Sequence, residues 1–201
     1  MPTLGLHHDV DVIVYADPRY NDEQMEQIRE GLENHLTVEV YADPEFDANQ
    51  MEQIRLGLEQ GIDAELYAQH NLNYNQMERI RTALEAGDFN DEQLSEIGQG
   101  IDANVDVTVY ARLQYDVHQM EQIRLGLEHG VNVDFYTNHM FTSEQMESIR
   151  LGLEQGLDVT VYADPKFNDV QMQEINLGML RDVDVTVYKP EFNYDQMEQI
   201  R

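Results

Sequence analysis

Residues 157–172 read LDVTVYADPKFNDVQM, and the fold turns on how this stretch is parsed. From Leu157 to Tyr162 the residues alternate, with Leu157, Val159 and Val161 set against Asp158, Thr160 and Tyr162. That is the period-2 pattern of a half-buried strand. Pro165 fixes φ and has no N–H to give to a ladder, so the strand is expected to end before it. Phe167 and Asn168 follow, and Gln171 with Met172 stands three residues past the Asn. Asn168 as N-cap with Gln171 at the third helical position is a capping box, and Phe167 against Met172 is a hydrophobic staple. The stretch therefore predicts a strand, a turn and a helix start.

Working outward, the pattern recurs. A Gln-Met or Gln-Leu pair stands at Gln24, Gln50, Gln76, Gln93, Gln119, Gln145, Gln171 and Gln196, in steps of 26, 26, 17, 26, 26, 26 and 25 residues, which is a repeat array. Asn21, Asp47, Asn73, Asn90, Asp116, Thr142, Asn168 and Asn193 each stand three residues before a Gln and predict eight helix starts. A stripe such as Met51, Ile54 and Leu58, with the small Gly57 beside it for close helix approach, predicts helices of about three turns. Gly61, Gly87, Gly130 and Gly156, with Asn104 once, are expected as left-handed C-terminal caps. Strands are expected to begin at Val10, Leu36, Ile62, Val105, Val131, Leu157 and Val183.

The 17-residue step leaves only Asp88 between Gly87 and Phe89, where a strand and turn would otherwise stand. Parallel strands lie about 4.8 Å apart and packed helices about 8–10 Å apart, so such an array curves. The expected fold is α/β: an open, curved β-α solenoid of about 26-residue repeats, with parallel strands on the concave side, helices on the convex side and one strand missing near residue 88. It divides into a three-strand block, 1–87, and a four-strand block, 88–201.

The composition narrows the function. Of 201 residues, 12 are Lys or Arg and 40 Asp or Glu, a formal charge of -28 at pH 7. A protein that grips nucleic acid clusters cations against phosphates, whereas Lys166 and Lys189 are the only lysines here. Direct nucleic-acid binding and adhesion to an anionic membrane are both excluded. There is no Cys, hence no disulfide and no thiolate chemistry. No apolar run approaches a membrane span and the opening MPTLGLHHDV lacks a signal-peptide core, so a cytoplasmic location is expected.

With Val and Leu turned toward the helices, the open face of the expected sheet carries three columns. The acids fall in the first two: Asp11, Asp63, Asp106, Asp158 and Asp184, then Glu39, Glu65 and Asp134. The third is a tyrosine ladder, Tyr15, Tyr41, Tyr67, Tyr110, Tyr136, Tyr162 and Tyr188. These acids and tyrosines are the candidate partner-binding residues, since Tyr is enriched at interfaces and carboxylates attract Arg and Lys. A closed barrel would bury the acids at several kcal/mol each, which favours the open form. Arg29, Arg55, Arg81, Arg124, Arg150 and Arg201 are expected on helix exteriors, paired with acids three residues earlier such as Glu26, Glu52 and Glu147. The seven His occupy non-equivalent positions and read as incidental, so no metal site, cofactor or catalytic residue is assigned, and no enzymatic activity is expected.

The unit GLEQGLDVTVYADPKFNDVQMQEI, residues 152–175, resembles repeats of uncharacterised gut Firmicutes and mobile-element proteins. The resemblance covers nearly the whole chain, apart from residues 88–104, and implies no activity. The expected architecture is similar to leucine-rich repeat horseshoes without their signature. The acidity resembles that of DNA-mimic anti-restriction and anti-CRISPR proteins, a likeness of class that implies a basic, nucleic-acid-binding partner. The resulting expectation is a non-enzymatic acidic repeat protein that binds another protein, as a DNA-mimic inhibitor of a restriction or CRISPR effector. The competing expectation is a structural or spacer array with no specific partner, excised from a longer chain or designed. Carboxylates in register on one face favour the first. The uncapped termini add an expectation of end-to-end self-association.

Overall fold

A computed structural model describes residues 12–200. The chain forms two units, Met1–Phe89 and Asn90–Arg201. In the first, α1 (Asp22–Glu33) packs on α2 (Ala48–Glu59) and α2 on α3 (Tyr74–Glu85). In the second, α4 (Asp91–Asp102), α5 (Val117–Glu128), α6 (Ser143–Glu154), α7 (Asp169–Met179) and α8 (Tyr194–Ile200) pack each on the next. The described residues contain no strand, so the expected α/β β-α solenoid with parallel concave strands is incorrect. Each expected strand that falls among them is a three-residue 3-10 turn: Val12–Val14, Val38–Val40, Ala64–Leu66, Val107–Val109, Val133–Phe135, Val159–Val161 and Val185–Val187. The strand start expected at Val10 lies outside the described residues.

The reason is local and can be followed from α6 onward. The helix ends in a Schellman motif: the Gly156 N–H donates to the Leu153 carbonyl at 2.9 Å and the Leu157 N–H to the Gly152 carbonyl at 2.9 Å. The Asp158 carboxylate then accepts from the Thr160 N–H at 3.1 Å, taking a donor that a strand would commit to a ladder. The Tyr162 and Ala163 N–H groups both turn back to the Val159 carbonyl, at 3.0 and 2.8 Å. Val159 and Tyr162, three residues apart, are both buried. Three is the 3-10 period, and an extended strand would have put them on opposite faces.

The same arrangement explains the helical glycines. The Tyr67 hydroxyl donates to the Gln53 carbonyl at 3.2 Å, and a Cβ on Gly57 would lie 1.9 Å from that oxygen. Tyr41, Tyr110 and Tyr136 reach the carbonyls of Gln27, Glu96 and Gln122 in the same way, at 3.0, 3.2 and 3.3 Å. Gly57 thus makes room for the tyrosine of the turn that follows its helix, not for a neighbouring helix. Left-handed caps occur at Gly61, Gly130, Gly156 and Asn104 as expected, and also at His35 and Asp182. Gly87 is not among the left-handed residues; a Cβ there would meet the Phe89 ring at 2.5 Å.

All eight capping boxes form, the last joining Asn193 and Gln196 in both directions at 2.9 Å. The box glutamine has a second role. While its oxygen accepts from the N-cap N–H, its Nε2 donates to the next repeat: Gln24 to Phe46, Gln50 to Leu72, Gln93 to Tyr115 and Gln119 to Phe141, at 2.6, 2.7, 3.0 and 2.6 Å. A glutamate would cap equally well and lack that donor. Ile54, Met51, Met77, Ile97, Met120, Ile123, Met146 and Ile149 fill the interior beneath these ties.

Candidate functional site

The tyrosine column is a correction. Tyr15, Tyr41, Tyr67, Tyr110, Tyr136, Tyr162 and Tyr188 are all buried, five of them with no exposed surface. Burial pushes the hydroxyls of Tyr41, Tyr67, Tyr110, Tyr136 and Tyr162 well above the ordinary range. Tyr41, Tyr67, Tyr110 and Tyr136 anchor their turns to the preceding helices, and the buried column offers no ladder to a partner.

The acids lie elsewhere. Glu39, Asp63, Glu65, Asp106, Asp134, Asp158 and Asp184 are exposed, at the same corner of successive repeats, and Asp11 lies outside the described residues. They are of two kinds. Asp63, Asp106, Asp158 and Asp184 precede their turns and accept the backbone N–H two residues on, at 3.3, 3.2, 3.1 and 3.1 Å. The Thr186 hydroxyl and N–H hold the Asp184 carboxyl below its usual range, so it stays ionised. Glu39, Glu65 and Asp134 sit inside the turns, where no capping duty falls on their side chains. In the first unit, Glu39 and Glu65 line a shallow groove with Thr37, Val40 and Ala68.

The repeated helix arginines Arg55, Arg81, Arg124 and Arg150 are committed to neighbouring helices. The Arg55 guanidinium is held by Glu59 at 2.6 Å, by Glu30 of the preceding helix at 3.1 Å and by the Gln27 amide oxygen at 2.9 Å. Arg81 and Arg150 bind Gln53 and Gln122 of their preceding helices at 3.2 and 3.1 Å, and Arg124 binds Glu96 at 2.5 Å and also Glu128. The pairing expected with acids three residues earlier is secondary: Arg29 lies 3.6 Å from Glu26 but 2.5 Å from Glu33, four residues on. Arg201 lies outside the described residues. In α7 Asn176 replaces the arginine and Ser148 the glutamine before it, and the Asn176 amide donates to the Ser148 carbonyl at 2.9 Å. Residues 1–89 hold 19 acids against 5 basic residues and residues 90–201 hold 21 against 7, so each unit carries a formal -14.

Two of the surface histidines make side-chain contacts. The His70 ring stacks on Phe46 with centroids 4.1 Å apart and faces Asp43 at 3.4 Å, while His129 pairs with Glu154 at 2.7 Å. Among the described residues no group of three His, Cys, Asp or Glu is arranged to hold a metal ion, and no helix is long and apolar enough to cross a membrane. Comparison of the chain with protein-family models, with curated proteins and with solved structures finds no match.

Sequence reasoning missed the burial of the tyrosines, although a signal for it exists. Gly31, Gly57, Gly100, Gly126, Gly152 and Gly178 each stand ten residues before Tyr41, Tyr67, Tyr110, Tyr136, Tyr162 and Tyr188. A fixed glycine-to-ring spacing marks a ring that lies on a backbone.

Proposed function

We propose that the protein is a non-enzymatic acidic repeat protein that docks on a basic protein and takes the place of a nucleic-acid backbone there. In that role it is a DNA-mimic inhibitor of a restriction or CRISPR effector, working in the cytoplasm. The observation that carries this reading is the recurring exposed carboxylate at one corner of the repeat, with Arg55, Arg81, Arg124 and Arg150 drawn in between the helices. At a helix spacing of about 8–10 Å, one acid per repeat supplies about a third of the charge density of a DNA strand, with one phosphate per ~3.4 Å. The remaining surface acids add to that field, which steers association with a cationic groove.

The alternative, a spacer array without a specific partner, draws on the turn-capping role of Asp63, Asp106, Asp158 and Asp184, which gives those acids a structural reason to exist. A pull-down from host lysate at low and high salt separates the two. The docking reading expects basic nucleic-acid-binding proteins to be retained at low salt and released by high salt. Changing Asp106, Asp134 and Asp158 together to Asn should remove them, because Asn preserves the caps. Glu39→Gln with Glu65→Gln repeats the test at positions with no capping duty. Retention of nothing basic at low salt would favour the spacer.

A further inference from the structure

Leu125, Leu151 and Leu177 occupy the same place in α5, α6 and α7, one residue after Arg124, Arg150 and Asn176. Because α5 packs on α6 and α6 on α7, the three leucines form a row across these helices. The row is open to solvent: Leu151 is 37% and Leu177 38% exposed, Leu125 is half-buried, and Leu180 beside Leu177 is 52% exposed. Packing does not demand leucine here, since the equivalent positions of α1, α3 and α4 hold Glu30, Thr82 and Gln99.

Residues three and four apart are neighbours on a helix surface. On α5 and α6 the leucines therefore lie between two rows of carboxylates, Glu121 and Glu147 before them and Glu128 and Glu154 after them. The second row also holds Arg124 and Arg150. On α7 the corresponding residues are Gln173 and Leu180, so that helix adds no charge to either row.

The geometry points to this α5–α7 face as the docking surface for a cationic amphipathic helix of a partner protein. Charge selects the occupant: a second copy of this chain brings another -28, whereas a helix with Lys and Arg beside its apolar stripe meets the Glu121 and Glu147 row, the Glu128 and Glu154 row being paired with Arg124 and Arg150. Spacing supports it as well. Packed helices lie about 8–10 Å apart, and seven residues of a helix rise about 10.5 Å, so apolar side chains at i and i+7 fall on successive leucines. The inference rests on the reading that the partner is basic, and adds which face it meets and in what form.

The test uses the full chain and two labelled peptides of about 18 residues with identical Lys and Leu content, one patterned with Leu on a single helical face and one scrambled. Binding is followed by fluorescence anisotropy at physiological salt. The patterned peptide should bind about tenfold more tightly, and Leu125→Gln and Leu151→Gln should each weaken it about threefold. Neither substitution should change the thermal melt or the binding of the scrambled peptide. Equal affinity for both peptides, indifferent to the leucines, overturns the apolar docking row and leaves acidic docking intact. Binding of neither peptide overturns both.

Discussion

Gly126→Ala should destabilise the second unit, although alanine is the better helix former. An added Cβ would stand 1.8 Å from the Tyr136 hydroxyl oxygen and 3.0 Å from Val133 Cγ1. The ring must withdraw, and the hydroxyl then gives up its bond to the Gln122 carbonyl in a site where the ring has no exposed surface. Overpacking costs about 1–3 kcal/mol, and a buried hydroxyl left without its acceptor about 1–3 kcal/mol more. Against this, Gly→Ala in a helix interior returns about 1 kcal/mol, so the net loss is about 1–5 kcal/mol. Tyr136→Phe alone should cost only about 1 kcal/mol. In the Gly126→Ala background it should restore stability, because it deletes the oxygen that clashes. Urea denaturation of the four proteins, followed by circular dichroism, closes the double-mutant cycle. A Gly126→Ala protein as stable as wild type, or one that Tyr136→Phe fails to rescue, would refute the anchoring role of the tyrosines.

Gln145→Glu should lower stability at neutral pH by about 1–3 kcal/mol, since a carboxylate would face the Phe167 and Pro165 carbonyls to which the amide now donates at 2.5 and 3.2 Å. Those carbonyls raise the folded pKa of the new carboxyl above its unfolded value of about 4.3. Its penalty relative to wild type should therefore grow as pH rises through the folded pKa and shrink below the unfolded one, in paired melts across pH. Gly156→Ala should cost about 1–2 kcal/mol by the same denaturation assay, because φ there is +74° with no atom within 4 Å of the new Cβ, so backbone strain acts alone. His35→Gly and Asp182→Gly, at φ of 58° and 57°, should instead gain up to about 1 kcal/mol. The buried tyrosines have folded pKa values above the unfolded value of about 10. The native state keeps protons that the unfolded state loses, so stability should be full below that pH and fall as pH rises past it. Once the exposed Tyr74 and Tyr194 are replaced by Phe, the tyrosinate absorbance of Tyr41, Tyr67, Tyr110, Tyr136 and Tyr162 should appear together with unfolding, and full titration of the tyrosines in the folded protein would contradict the burial.

The helix starts were legible because a capping box is a local device. Asn168, Gln171, Phe167 and Met172 carry the whole signal within six residues, and tertiary context had nothing to override. The array and its interruption at Asp88 were legible for the same reason, as spacing. The Val-x-Val-Tyr stretch was not, because it satisfies two periods. Val159 and Val161 share a face at period 2, Val159 and Tyr162 at period 3, and four residues are too few for periodicity to decide. What decides is chemistry that alternation ignores: Asp158 takes the N–H of Thr160, and Gly152 opens the helix backbone to Tyr162. The exposed acids kept their place on the surface under either parse, since each lies outside the buried Val and Tyr pair. The tyrosines did not, and with them half of the expected partner-binding surface moved into the core.

Nuclear Overhauser contacts across residues 158–163 test the central claim most directly. The account predicts contacts from the Val159 Hα to the Tyr162 N–H, and from the Tyr162 ring to the Gly152 Hα protons, repeated at Val107, Tyr110 and Gly100 and at Val133, Tyr136 and Gly126. Strong sequential Hα to N–H contacts through Val159, Thr160 and Val161, with backbone contacts from Thr160 to Asp134 and Thr186, would mean paired strands and would contradict it.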